Sequence, residues 1–248
     1  MKWNADVVVI GIGIAIVVAL ILIFSAVRRL YESNRSEALR SVAVSLGMSF
    51  EDGRDIDATK RFGPFQLFSI GGGKKVRNCL SGTIDGVDVT TFGYEYTFGG
   101  EDSSTTRQTV VLFRSNELSL PGFELQPRIS IPNSPVLKAT RKIVRTIRAS
   151  IGRDEEIDFD THPDFSESYV LKGNHKSAIH QVFSTRVLEY FESHKGLSVE
   201  GRDERLLCYR AESHDIHIGF RGARVKPDEL KLFLDEGRAA FDLFRKKP

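Results

Sequence analysis

The chain has 248 residues, 41% of them hydrophobic, and its 35 Lys and Arg against 33 Asp and Glu leave a formal net charge of +2. That length allows one moderate domain or two small ones with a proper core, and the near-neutral balance argues against a nucleic-acid binder, which carries a strongly basic domain. Cys79 and Cys208 lie far apart and make neither a zinc site nor a disulfide framework, so free thiols in a reducing cytoplasm are expected.

Val7 to Phe24 contains only Val, Ile, Leu, Ala, Gly and Phe, with Ser25, Ala26 and Val27 trailing. A bilayer core about 30 Å thick needs about 20 apolar residues in a helix, and Val7 to Val27 rises about 31 Å. The run is apolar all round, unlike the core helix of a soluble protein. It is longer than a signal-peptide core and ends in Arg28-Arg29 rather than a small-residue cleavage site. Gly11-Ile-Gly13 after Asp6 mimics a dinucleotide-binding turn, but Ile16 occupies the third glycine position and no parallel βαβ pattern follows. Residues 1–30 therefore read as a transmembrane anchor. Arg28, Arg29, Arg35 and Arg40 follow it, against Lys2 and Asp6 before it. Cationic residues accumulate on the cytoplasmic side, so a single-pass protein of the cell (inner) membrane is expected, with its N-terminus outside and the bulk of the chain cytoplasmic. Gly11, Ala15 and Ala19 line one face of the span. Small residues at that spacing suit a homodimer through the span, and they equally suit the ordinary composition of membrane helices.

Tyr31 to Arg35 reads as a polar connector. Asn34 and Glu37 form a capping box before the stripe Ala38, Leu39, Val42, Ala43 and Leu46, which Gly47 closes. Ser36–Leu46 is thus a short helix that either continues the span or starts anew. Residues 51–60 read as loop. Phe65–Ile70, Val76–Ile84, Val87–Phe98 and Arg107–Arg114 read as strands, with Asp85-Gly86 as a two-residue hairpin turn. Pro121-Gly122 marks a turn before an edge strand. Together these make a β-rich cytoplasmic unit over residues 35–131.

Residues 136–151 read as a basic linking helix. Lys138, Arg141, Lys142, Arg145 and Arg148 form one broad cationic face, suited to anionic lipid headgroups or, alternatively, solvated and balanced by Asp154, Glu155 and Glu156. An α+β unit over residues 155–248 follows. Short strands are expected at Ile157–Phe159 and Tyr169–Leu171, and a helix over His175–His194. Strands at Leu197–Glu200 and Leu206–Arg210 flank a turn, His214–Phe220 makes a third, and a last helix starts at Pro227. The fold class is α+β.

Four stretches resemble those of bacterial, single-span, membrane-anchored proteins of unknown function with a cytoplasmic α+β domain. They are Phe62-Gly-Pro-Phe65, Asn78-Cys-Leu-Ser-Gly82, Gly86 to Tyr94, and Ile157-Asp-Phe-Asp160 with His162-Pro-Asp-Phe165-Ser166. Tyr169 to Gly173 and Val182-Phe-Ser184 extend the likeness. The resemblance implies an anchored cytoplasmic domain and supplies no activity.

Candidates for chemistry are few. Asp158, Asp160 and His162 would share one face of a strand, a spacing open to acid–base or metal chemistry, although no fourth ligand accompanies them. His214 and His217 would point to opposite faces of a strand. Gly71-Gly-Gly-Lys74-Lys75 lacks the spacing and the Ser or Thr of a phosphate loop and reads as a basic hairpin tip. No motif calls for a cofactor or a metal. The leading reading is a non-enzymatic, membrane-anchored module that binds a protein partner or an anionic lipid surface. The alternative is an anchored enzyme with a dispersed polar site near Asp160 and His162.

Overall fold

The computed structural model describes residues 5–52, 57–98, 104–128, 156–210 and 224–246. The linking helix at 136–151, with Lys138, Arg141, Lys142, Arg145 and Arg148, lies outside these residues, as do His214 and His217.

Helix α1 (Ala5–Ser45) is one uninterrupted element. Its stretch from residue 10 to residue 24 is exposed on every side. Among the described residues this helix is the one long and apolar enough to cross a membrane. Its end closest to the domain behaves differently: Arg35, Leu39 and Ala43 are buried one turn apart, with Val42 and Leu46 packed beside them. Ala38, expected on this stripe, faces solvent. The connector expected at Tyr31–Arg35 is helical too, because nothing there breaks the backbone ladder and the domain supplies partners for its polar side chains.

The remaining elements wrap around one eight-stranded sheet in which every pairing is antiparallel. The strands are β1 (Ser49–Glu51), β2 (Gly72–Ile84), β3 (Val87–Phe98), β4 (Ser104–Arg114), β5 (Leu120–Pro127), β6 (Tyr169–Gly173), β7 (Leu197–Asp203) and β8 (Arg205–Arg210), ordered β1-β2-β3-β4-β8-β7-β5-β6. Chain segments from both sides of residues 129–155 thus share one sheet. Alternation along the strands builds two cores. Val111, Phe113, Leu125, Val199, Leu206 and Cys208 face the first, which the lower turns of α1 and the helices α3 (Pro163–Ser168), α4 (Lys176–Val182), α5 (Thr185–Ser193) and α6 (Leu230–Phe244) cover. Gly237 lets α6 lie close on β4: a Cβ there would come within 2.9 Å of the Phe113 ring. Phe92, Tyr94, Val110, Leu207 and Tyr209 face the second core, roofed by α2 (Ala58–Phe62) and a 3-10 turn at Gln66–Ser69. There the Phe62 ring stacks on Phe92 with centroids 4.3 Å apart. Both thiols are free and buried.

Several expectations change. Residues 51–60 are not all loop, since Asp57 caps α2 by accepting from the Thr59 and Lys60 amides. Phe65–Ile70 is a 3-10 turn rather than a strand, because a carboxylate binds its amides from below, as described in the next subsection. β5 is not an edge strand but lies between β7 and β6. Pro121 is tolerated because the β5–β7 register shifts between Leu120 and Phe123, where a bulge needs no proline amide. Ile157–Phe159 is not a strand; only the preceding Glu156 makes an isolated bridge, to Lys172, before α3 begins at Pro163. The helix expected over His175–His194 breaks at Phe183-Ser184, where buried Phe183 leaves helical geometry and Ser184 begins α5.

Candidate functional site: an arginine-lined cleft at the foot of the apolar helix

Where α1 leaves its apolar stretch it forms one wall of a polar cleft of about 820 Å³, with β2, β3 and β4 opposite. Ser25, Arg28, Arg29, Glu32, Ser33, Ser36, Glu37 and Arg40 come from the helix. Arg77, Asn78, Gly93, Tyr94, Glu95, Arg107 and Gln108 come from the sheet, and Asp52 and Arg224 complete it. A register shift in β2 between Arg77 and Leu80 builds the sheet wall. Asn78 at this bulge takes a left-handed backbone (φ 51), which Asn tolerates better than most residues. Its buried side chain accepts from the Ser36 hydroxyl at 2.9 Å, tying the bulge to α1.

Two further contacts fix the helix on the domain, and a third braces one of them. Arg224 grips Glu32 through both guanidinium nitrogens, at 2.7 and 2.9 Å. Arg35, 8% exposed, donates to the Val225 carbonyl at 2.8 Å. The Val225 amide in turn donates to the Thr109 hydroxyl on β4 at 3.0 Å. The hydrogen bonds from Arg224 hold the Glu32 carboxyl below its ordinary value, while burial pushes the Arg35 guanidinium down.

The cleft is cationic. Six arginines (28, 29, 40, 77, 107 and 224) meet four acids (Glu32, Glu37, Asp52 and Glu95), a formal excess of two positive charges. Arg224 pairs with Glu32, Arg107 with Glu95 at 2.7 Å, and Arg40 with Glu37 at 3.8 Å. Among the described residues Arg28, Arg29 and Arg77 have no ion-pair partner.

A second, smaller cavity of about 100 Å³ lies on the opposite face of the sheet, between β5, β7 and the 3-10 turn. Glu124 and Glu200 are cross-strand neighbours there and both are buried. Glu200 accepts from the amides of Gln66 (2.5 Å) and Leu67 (2.9 Å) and from the Tyr209 hydroxyl (3.0 Å). Burial nevertheless dominates and raises its carboxyl to about 7. This group holds the 3-10 turn down on the sheet.

The residues singled out from sequence are placed elsewhere. Asp158 and Asp160 are exposed, alternating with buried Ile157 and Phe159, and His162 is half-buried ahead of α3; none of the three lines either cavity. Asp158 lies 3.9 Å from Arg128, and His162 meets the Thr161 hydroxyl. Gly11, Ala15 and Ala19 are exposed on the apolar stretch. Lys74, beyond the glycine run, donates to the Phe68 carbonyl at 2.6 Å and stands at a hairpin end, not a phosphate loop.

Fold and cleft together define an α+β protein whose long apolar helix enters the domain without a break. No family model matches the chain, and no curated protein matches it. Among solved structures it is similar to the crystal structure of the mycobacterial trehalose monomycolate transport factor A, TtfA. The TM-score is 0.54 at 15% identity, over 86% of this chain and 96% of that one. The likeness shows the fold.

Proposed function

We propose that this chain is a membrane-anchored, non-enzymatic binding module that holds its α+β domain on the cytoplasmic face of the membrane and engages anionic lipid headgroups there. The carrying observation is the cleft's position. Its helical wall begins at Ser25, directly after the apolar stretch, so its mouth lies in the headgroup layer once the helix spans a bilayer. Basic residues near such a surface contribute about 1 kcal/mol each, and tethering raises the effective concentration of the surface they meet. The basic residues Lys138, Arg141, Lys142, Arg145 and Arg148 would add positive charge to the same attraction. The neighbour of like fold is a transport factor for trehalose monomycolate, a role compatible with an anchored module, and no substrate is carried over from it.

The full chain in nanodiscs provides the test. Amide exchange is followed with zwitterionic lipid alone and with anionic lipid added. Slower exchange in residues 25–40 and 72–114 is expected on adding anionic lipid. Identical exchange in both bilayers would remove the lipid-surface reading.

A further inference from the structure

The cleft does more than spread positive charge beside a membrane. Of its six arginines, three are held by acids of the same cleft, and three are not. The three without partners come from both walls of the cleft. Arg28 and Arg29 lie four and five residues beyond Phe24, the end of the uninterrupted apolar run, so they stand roughly 6–8 Å past the hydrocarbon edge. Arg77 rises from the opposite wall, at the β2 bulge, where it is half-buried. Guanidinium groups recognise phosphate oxygens through paired N–H donors, and three lining one cleft without an ion pair of their own favour the entry of an anion. The cleft's volume of about 820 Å³ exceeds what a bare phosphate needs and falls within the range of small-molecule sites. Its walls are mostly polar, which favours a headgroup there over acyl chains.

We propose that the cleft holds the headgroup of a single anionic phospholipid, its phosphate bound between Arg28 and Arg29 on the helix and Arg77 on the sheet, with the acyl chains left in the bilayer. This rests on the membrane-surface reading above and narrows it from a surface to a 1:1 site. Ser33, on the same helical wall, supplies a further donor for a hydroxylated headgroup.

Arg77 is the residue to change, because Arg28 and Arg29 also bear on membrane orientation. The full chain is released from membranes in mild detergent, offered phosphatidylglycerol or phosphatidylcholine, and weighed by native mass spectrometry. One retained phosphatidylglycerol per chain is expected, with no retained phosphatidylcholine. Arg77→Gln should lower the bound fraction about tenfold, the scale of one lost charge-assisted contact. Arg186→Gln, at an exposed position of α5, should leave it unchanged, and both variants should melt close to the parent. Retention that is indifferent to Arg77 in a folded variant overturns the proposal. So does displacement of the lipid by an equal concentration of inorganic phosphate, which would make the cleft a soluble-anion site. If nanodisc exchange responds to anionic lipid while no Arg77-dependent adduct forms, the surface reading stands and this site falls. If neither responds, both fall.

Discussion

Glu32 and Arg224 are 192 positions apart in sequence and meet in a two-pronged ion pair, closing the last segment before α6 onto the helix that carries the anchor. The pair is part-buried, and its geometry is the strong, forked kind rather than a passing surface contact. Each partner also bears on Arg35, whose guanidinium is buried beside them.

The pair should therefore show coupling. Glu32→Gln and Arg224→Gln are each expected to cost about 1–2 kcal/mol, and the double variant less than their sum. A double-mutant cycle from denaturant melts measures this. The pH direction follows from the lowered Glu32 carboxyl: its contribution is present above the ordinary carboxylate range and is lost as the pH falls through the depressed value. Strict additivity would mean that the contact does not hold the helix to the domain.

Glu200 should titrate with the opposite sign. Its folded value of about 7 lies above the ordinary carboxyl value of 4.5. Between those values the folded state binds the extra proton, so stability declines as the pH rises from about 4.5 to about 7 and is level above. Comparing thermal midpoints of the parent and Glu200→Gln across this range isolates the contribution. The parent should lose stability relative to the variant toward pH 8. A constant difference at all pH values would show that the carboxyl does not titrate in this window.

Orientation is open to direct measurement. Arg28 and Arg29 border the span on the side of the domain. A reporter active only in the cytoplasm, fused after Pro248, should give signal, and a periplasm-active reporter in the same place should not. The reverse pattern would place the domain, and its cleft, on the other face of the membrane.

The parts of this fold that were readable in advance are those whose causes are local. Asp85-Gly86 announces a hairpin because both residues tolerate positive φ, and they adopt 49° and 76°. Pro227 announces the approach to α6, which follows a 3-10 turn starting at that proline. Elements decided by distant partners were not readable. Phe65–Ile70 has the composition of a strand, yet Glu200, more than 130 positions later, takes the amides of Gln66 and Leu67 and leaves a 3-10 turn instead. Glu124 and Glu200 sit among apolar neighbours in an alternating pattern, which signals solvent; only the roof over that face buries them. The cleft was hidden for the same reason. Its arginines run from residue 28 to residue 224 and form no motif. Arg28 and Arg29 were visible as the border of a span, and nothing local joined them to Arg77.

Helix α1 has no joint between its apolar stretch and the turns that pack on the sheet. From Phe24 to Ser45 the rigid arm is roughly 30 Å long. A span tilted by about 20° would carry the far end of that arm roughly 10 Å sideways, and the sheet with it. Bilayer thickness and the packing of the span against neighbours thus act as a steering input. Whatever reorients the helix in the membrane turns the whole domain, and sets which of its surfaces looks down at the lipid and which looks away.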